Sequence, residues 1–342
     1  MSTEVTSIES DLAVVDVRGL RKSFGRREVL HGIDFSVPAG SVFGVIGPNG
    51  AGKTTTMRCL LDIIRPSGGS IRVLGRDPRT AGPALRRRIG YLPGELFLEG
   101  RVTGRRMLEH YAAISGPVRP GRIEELAERL DLDLGRHARK LSKGNKQKLG
   151  LIQAFMHEPE LLVLDEPTSG LDPLVQQEFL AMVREAQAAG TTVFLSSHML
   201  SEIQQAADEV AILRDGNIVT VSTVDALRES AVRTVRFTAA ESPSDVHAAL
   251  SMVPGIRDVS FQEISPAQPL GPGFAVEVSA KLEGAGVGSL VRALARLDLV
   301  ELVIEEADLE ESVLTLYEAV PVETTIINTP ARRSIRKVRS HV

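Results

Sequence analysis

Two stretches of this 342-residue chain carry side chains suited to nucleotide chemistry, the first to binding phosphate and the second to holding a metal ion and a water molecule. The first, residues 47–54, reads GPNGAGKT and fits the pattern G-x-x-x-x-G-K-[ST], with an apolar segment before it and a helical pattern after it. Glycines let backbone N–H groups close around phosphate oxygens without a Cβ in the way, and the N-terminus of the following helix adds a positive dipole end. This stretch therefore predicts a nucleotide-phosphate site.

Each polar residue at the end of this stretch has an expected ligand. We expect Lys53 to reach the β- and γ-phosphates, the Thr54 hydroxyl to bind Mg²⁺, and Thr55 to donate to the α-phosphate. The other residues expected to line the nucleotide are Gly47, Pro48, Asn49, Gly50, Ala51 and Gly52.

The second stretch ends in an apolar strand, residues 161–164, followed by Asp165 and Glu166. Adjacent carboxylates at the end of a buried strand are costly unless a metal or a reacting water uses them. We expect Asp165 to hold Mg²⁺ and Glu166 to polarise the attacking water; the alternative is that Asp165 caps the next turn. His198, which follows a strand over residues 191–195, is expected to bond the γ-phosphate, and its alternative is a structural or exposed histidine.

The apolar pattern indicates the elements that position these side chains. Residues 38–41 suggest a hairpin between strands at 33–37 and 42–46, and Asp215-Gly216 indicates a second hairpin. Because helical segments separate most of the apolar strands, we predict an α/β fold with a mainly parallel sheet and helices on its faces. The other predicted strands are residues 12–17, 71–74, 89–92, 161–164, 191–195, 210–213 and 218–221.

A new pattern starts near residue 232. Its order of strands and helices, βαββαβ, predicts a small ferredoxin-like α+β domain. A further helix is predicted over residues 309–317. We therefore expect a nucleotide-binding domain over residues 1–230, an accessory or regulatory domain over residues 231–320, and a basic, disordered tail over residues 321–342 whose alternative role is contact with anionic lipid.

Composition narrows the partners. A formal net charge of −4 argues against nucleic acid. A single cysteine, Cys59, excludes an internal disulfide and fits a reducing compartment. No secretory signal is recognised, and no apolar run approaches the ~20 residues that span a bilayer, so we expect any membrane role to come through a partner.

In order, the segments GPNGAGKTT, LSKGN, LLVLDEP and SGLD, followed by His198, resemble the motif set of the ATP-binding subunits of ABC transporters over about residues 12–221. The resemblance implies a P-loop NTPase cassette, with antiparallel β and helical subdomains beside the parallel sheet, that binds ATP and Mg²⁺ and hydrolyses ATP. It also implies a dimer of this chain or of this chain with a homologous ATPase, a polytopic transmembrane permease, and a place at the cytoplasmic face of the membrane.

The resemblance assigns further residues. In the signature loop, residues 141–145, Ser142 and Gly144 would contact ATP held by the other subunit, next to a helix beginning near Lys146. Residues 169–172 are similar to the D-loop, which adds Asp172 to the ATP-binding set. Phe24 matches the aromatic residue that stacks on adenine, and its alternative is an ordinary core residue.

Two departures from the family pattern stand out. Gly94 and Glu95 occupy the place where a glutamine usually touches Mg²⁺ and the water; Glu95 either takes this role, despite repulsion from the other carboxylates, or the role is absent. In LSKGN, Lys143 and Asn145 replace glycine and glutamine, and Lys143 points either at the partner's γ-phosphate or into solvent. Together with a Leu-Glu-Glu segment at residues 309–311, these features resemble type-2 exporters related to drug- and antibiotic-resistance systems.

The resemblance predicts export of a hydrophobic drug, antibiotic or lipid-like compound, with ATP-driven dimerisation passed on through the region between residues 94 and 141. Residues 99–109, rich in arginine and glutamate, are predicted to dock on the permease, and their alternative is a solvated helix face. A regulatory or importing ATPase, its C-terminal domain sensing a small molecule, stays open as a second function. The lack of a second P-loop, of a heptad insertion and of zinc-ligand cysteines argues against translation-factor and DNA-repair ATPases.

Overall fold

The computed structural model describes residues 13–96, 102–230, 232–264, 275–283 and 286–305. The predicted helix at residues 309–317, the basic tail, and residues 99–101 of the predicted docking segment lie outside these ranges. In chain order, the elements up to residue 155 are β1 (Ala13–Phe24), β2 (Arg27–Pro38), β3 (Val42–Ile46), α1 (Lys53–Leu60), β4 (Gly68–Val73), α2 (Pro78–Arg86), β5 (Ile89–Leu92), α3 (Gly104–Ser115), α4 (Arg122–Arg129) and α5 (Lys143–Phe155).

The elements that follow are β6 (Leu161–Asp165), α6 (Pro173–Ala188), β7 (Thr192–Ser197), α7 (Leu200–Ala206), β8 (Glu209–Arg214), β9 (Asn217–Thr223), α8 (Val224–Ser230), β10 (Arg233–Ala239), α9 (Pro243–Leu250), β11 (Ile256–Ile264), β12 (Ala275–Leu282), α10 (Val287–Leu294) and β13 (Leu299–Glu305).

A six-stranded sheet in the order β5-β6-β7-β3-β8-β9 forms the centre of the first domain. Its first five strands pair in parallel, and β9 returns antiparallel to β8. The parallel sheet and the Asp215-Gly216 hairpin are therefore confirmed. β3, β6 and β7 are buried along their whole length, as expected for parallel strands covered on both faces. Their carboxyl ends, at Ile46, Asp165 and Ser197, meet at one edge of the sheet.

The predicted hairpin between β2 and β3 is wrong. β2 pairs with β1 in a separate antiparallel sheet, β2-β1-β4, whereas β3 lies between β7 and β8. The turn at residues 38–41 carries the chain from one sheet to the other, and the Gly40 N–H donates to Thr192 Oγ1 at 2.9 Å. Three stacked rings join the two sheets, with centroid distances of 5.6 to 5.8 Å between Phe35, Phe43 and Phe194.

Two apolar cores position the phosphate-binding edge. One lies between the six-stranded sheet and helices α3 to α7, and the other between the same sheet, α1 and the antiparallel sheet. Dense packing on both faces holds β3 and β6 rigidly. Among the described residues, no helix combines the length and apolar character that crossing a bilayer requires.

The second region forms an antiparallel sheet in the order β11-β12-β10-β13, covered by α9 and α10. This order is the one expected for the predicted βαββαβ arrangement. The region has an apolar core of its own, centred on Val235, Phe237 and Val278.

Candidate functional site

The glycine-rich loop between β3 and α1 is shaped by two glycines that no other residue can replace without movement. A Cβ on Gly47 would lie 2.1 Å from the Leu213 carbonyl oxygen. Gly52, the residue before α1, has a φ of 114°, and a Cβ there would lie 2.6 Å from Leu30 Cδ2. Between them, residues 48–50 are exposed, so the loop backbone faces outward from a rigid base.

Lys53 begins α1, and its side chain turns back into this loop. It is buried, and Nζ donates to the carbonyl oxygens of Gly47 at 2.6 Å and Pro48 at 3.3 Å. Burial lowers the pKa of Lys53, while the charges of Glu166 and Asp165 oppose that shift. The ammonium group is thus held beside the loop before any ligand arrives.

Asp165 ends β6 directly opposite Ser196 of β7. The Ser196 hydroxyl donates to Asp165 Oδ1 at 2.7 Å, so the carboxylate bonds across the sheet rather than capping the following turn. The other oxygen, Oδ2, is buried and has no hydrogen-bond partner among the described residues. An orphaned buried carboxylate oxygen is costly, and a cation at this position would satisfy it.

Glu166 lies between two basic side chains. Its Oε1 is 3.8 Å from Lys53 Nζ, and its Oε2 is 3.4 Å from His198 Nδ1. Its backbone has a φ of 48°, a left-handed conformation that non-glycine residues seldom adopt. The Glu166 N–H donates to the Ser196 carbonyl and hydroxyl oxygens, both at 3.2 Å, and these bonds hold the unusual backbone. The structure therefore brings together four of the predicted site residues: Lys53, Asp165, Glu166 and His198.

Four residues that were not predicted support this cluster. Gln147 Nε2 donates to the carbonyl oxygens of Glu166 and Pro167, both at 3.0 Å. The Glu202 carboxylate accepts from Thr168 Oγ1 at 2.6 Å and from Ser197 Oγ at 2.5 Å. Glu202 thereby connects the segment after Glu166 to the segment before His198. Gln147 could have been found from its place two residues after the signature loop. The Glu202 contacts depend on the fold.

The signature loop begins α5 three residues earlier than expected, at Lys143. Ser142 is exposed and caps the helix, its Oγ accepting from the Asn145 N–H at 3.2 Å. Asp172 caps α6 in the same way, accepting from the Val175 N–H at 3.1 Å. Within the described part of the chain, no hydrogen bond or ion pair joins Ser142, Gly144 or Asp172 to Lys53 or Glu166.

Lys143 is exposed and makes a hydrogen bond within its own chain. Its Nζ donates to Ser169 Oγ of the same chain at 3.0 Å. This bond places the ammonium group between the signature loop and residues 169–172.

Phe24 and Glu95 are the outlying members of the predicted set. Phe24 ends β1 with half of its surface exposed, and Lys22 Nζ lies 4.8 Å from its ring centroid, so it is not an ordinary core residue. Glu95 is exposed. Gly94 lies nearer the cluster, because a Cβ there would be 3.2 Å from Asp165 Oδ2.

Comparison with known proteins agrees with this geometry. Residues 30–169 match the ABC transporter family model. The chain is 40% identical to the daunorubicin resistance ATP-binding protein DrrA3 of Streptomyces coeruleorubidus over 219 residues, covering 63% of this chain and 69% of that relative. It is 35% identical to the bacitracin transport ATP-binding protein BcrA of Enterococcus faecalis, covering 63% and 71%. A solved ATP-binding subunit of an ABC transporter superposes with a TM-score of 0.59 at 30% identity, covering 63% and 92%.

The phosphate loop, the carboxylate pair on β6 and these similarities have one explanation. The chain belongs to the ATP-binding subunits of ABC transporters, which hydrolyse ATP, and it is related to the ATPases of drug- and antibiotic-resistance exporters.

Proposed function

We propose that two copies of this chain enclose two ATP molecules and drive a separate membrane permease that exports a hydrophobic drug, antibiotic or lipid-like compound. The observation that carries the proposal is the cluster in which Glu166 lies 3.8 Å from Lys53 and 3.4 Å from His198, beside the unpartnered Oδ2 of Asp165. The names of the two relatives, one for daunorubicin resistance and one for bacitracin transport, support the class of compound.

Each ATP site has two halves, one from each copy. The first half-site consists of the glycine-rich loop and the residues near it, which bind and orient ATP. Backbone N–H groups of Gly47 and residues 49–52 surround the phosphates, Lys53 neutralises the β- and γ-phosphates, and Thr55 donates to the α-phosphate. Phe24 stacks on adenine, since its ring is half exposed. Lys53 already has its ammonium beside the Gly47 carbonyl oxygen, so little movement is needed when phosphate enters.

Asp165 and the Thr54 hydroxyl fit a magnesium ion. Both are oxygen donors, and Mg²⁺ is commonly held by one or two protein oxygens together with substrate phosphates. The buried Oδ2 of Asp165 has the free lone pairs that such an ion uses. When bound, Mg²⁺ would neutralise charge on the β- and γ-phosphates. We assign no ligand role to Glu95, because its side chain is exposed.

Hydrolysis depends on Glu166 and His198. Glu166 orients the attacking water and takes up its proton while the bond between the β–γ bridging oxygen and the γ-phosphorus breaks. His198 donates a hydrogen bond to the γ-phosphate from the other side of the carboxylate. Lys53 stabilises the charge that gathers on the leaving phosphate oxygens.

The second half-site serves the other copy. Ser142, Gly144 and Asp172 are assigned to the ATP bound by the partner subunit. Ser142 Oγ accepts from Asn145 N–H, which leaves its own hydrogen free to donate to a phosphate. ATP therefore joins the two copies, and loss of the γ-phosphate releases them.

The proposed transporter also contains a permease, and this chain contributes a docking segment and an accessory domain. The permease places the chain at the cytoplasmic face of the membrane, and residues 102–109, with residues 99–101, are the assigned docking segment. Residues 1–230 form the cassette and residues 231–320 an accessory domain that regulates it, an assignment supported by the separate apolar core of the second region. Nucleic acid is not a partner, given a net charge of −4.

The Glu166→Gln variant tests this function. Removing the proton acceptor is expected to slow hydrolysis by roughly 10²- to 10⁴-fold while ATP still binds, so the variant accumulates as an ATP-bound dimer. Light scattering with and without ATP measures the mass. Glu301→Gln, an equivalent change on exposed β13, is the matched control. A Glu166→Gln chain that binds ATP but stays monomeric would refute the shared site.

A further inference from the structure

The side chain of Lys143 crosses from the signature loop to the D-loop of the same chain. Its Nζ is 3.0 Å from Ser169 Oγ. Its methylene groups lie against Gly170: Cγ, Cδ and Cε are 3.3 to 3.6 Å from the position that a Cβ on Gly170 would take. Gly170 has a φ of 78°, which favours glycine, so the lysine lies over a bare backbone.

The two loops also touch through their backbones. A Cβ on Gly144 would lie only 2.6 Å from the Gly170 carbonyl oxygen. Both contact residues are therefore glycines for steric reasons, and no side chain separates the loops. Lys143 adds a polar bond at the edge of this close contact.

A second bond from the same helix holds the start of the D-loop segment. Gln147 Nε2 donates to the carbonyl oxygens of Glu166 and Pro167. Lys143 and Gln147 are four residues apart on α5 and so share one face of the helix. The segment that starts with Glu166 is thus attached to α5 at both ends.

The D-loop is in turn hydrogen-bonded to the backbone of Glu166. The Ser169 N–H donates to the Glu166 carbonyl oxygen at 3.2 Å, and the Leu171 N–H donates to Thr168 at 3.0 Å. A displacement of the signature helix therefore reaches the backbone of Glu166 through two short bonded paths.

We propose that Lys143 is a positioning residue that couples the two half-sites of this chain. By fixing Ser169 to α5, it transmits contact with the partner's ATP at the signature loop to Glu166, which acts on the chain's own ATP. This inference rests on the proposed dimeric function. Because the ammonium is the donor, the Ser169 hydroxyl keeps its hydrogen for a group of the partner subunit.

Hydrogen exchange on the ATP-free chain tests the anchor without a partner. Lys143→Met keeps the methylene contact with Gly170 but removes the ammonium group. We expect the amides of Ser169 and Leu171 to exchange about tenfold faster in this variant, as the loss of a charged hydrogen bond implies. Lys143→Arg, which restores a cationic donor, should return exchange to the wild-type rate. Unchanged exchange in Lys143→Met would overturn the anchor.

The ATP dependence of hydrolysis tests the coupling. A two-site enzyme has a Hill coefficient of at most about 2; we expect Lys143→Met to lower it toward 1 and Lys143→Arg to preserve it. A coefficient that is the same in wild type and Lys143→Met would overturn coupling, even if exchange is faster. The two results that count against these ideas differ. If the Glu166→Gln variant with Lys143 unchanged does not dimerise with ATP, the proposed function itself is refuted. If that variant dimerises normally and Lys143→Met hydrolyses ATP with unaltered cooperativity, only this inference is refuted.

Discussion

Lys53 and Asp165 are buried and already bonded to neighbouring groups, whereas Ser142 and Lys143 are exposed. Ser142 bonds within its own loop, and Lys143 bonds to Ser169 of the D-loop. The first pair lies where β3 and β6 end between two apolar cores. The second pair begins α5, which presents its N-terminus at the surface. Both regions are expected to meet phosphate, but the protein supports them in different ways.

The difference lies in what each half-site still lacks. The buried half has a cation, a carboxylate and a histidine in place, and the buried oxygen Asp165 Oδ2 has no hydrogen-bond partner among the described residues. In the exposed half, Ser142 and Asp172 cap α5 and α6, and the Ser142 hydroxyl keeps its own hydrogen for donation. In the proposed dimer, this chain alone organises the first region for ATP, and the second region completes a site on the nucleotide of the partner subunit.

The largest loss of ATP affinity in the buried half is expected from Lys53→Ala. Losing a buried charged donor costs about 2–5 kcal/mol, so ATP affinity should fall ~30-fold to ~5,000-fold. Fluorescence titration with a labelled nucleotide measures this, and Lys140→Ala, an exposed lysine, is the control. Retained affinity would mean that the loop at residues 47–54 does not bind the phosphates.

Ser142→Ala should distinguish the two regions, because it should weaken dimerisation and leave ATP binding by the monomer unchanged. The monomer should bind ATP as the wild type does, whereas dimerisation in the Glu166→Gln background should weaken roughly 10-fold to 150-fold, the value of a hydrogen bond to a charged group. Analytical ultracentrifugation gives the dimer constant.

Loss of the helix cap is a separate effect of this change, worth ~1 kcal/mol. Ser142→Asp keeps a capping oxygen but removes the donor. Wild-type dimerisation by Ser142→Asp would show that only the cap matters and that Ser142 does not face phosphate.

The smallest effect is expected from deleting residues 232–342. The first domain has its own two cores, so the truncated chain should bind ATP within about twofold of the full chain, a difference of under ~0.5 kcal/mol. Isothermal titration calorimetry measures the affinity, and circular dichroism establishes that the truncated chain is folded. A folded truncation that no longer binds ATP would show that the domain boundary is misplaced.

The buried half was largely predictable because its signals are local. A glycine-rich loop, a lysine and a carboxylate pair each follow an apolar strand, and the carboxyl ends of parallel strands meet at one edge. The β2–β3 hairpin failed for a physical reason: a short turn between two apolar strands looks the same whether the strands pair or diverge. The structure shows the difference: β3 has five consecutive buried residues, whereas burial partly alternates along β2. A run of five buried residues is typical of a strand in a parallel sheet.

The exposed half was less predictable because its contacts join residues far apart in the chain. The bond from Lys143 to Ser169 spans 26 positions, and the direction of a lysine side chain depends on which acceptor the fold brings near. The same holds for Glu202, which reaches Thr168 across 34 positions. Residue types alone identified neither pair.

Gly94 has a consequence for how this chain can change over generations. A Cβ at this position would lie 3.2 Å from Asp165 Oδ2, closer than ordinary van der Waals contact. A glutamine placed there must therefore also shift the carboxylate of Asp165 by a few tenths of an ångström. The size of the side chain at position 94 and the position of the Asp165 carboxylate are therefore linked, so a substitution at residue 94 acts on the proposed magnesium ligand as well.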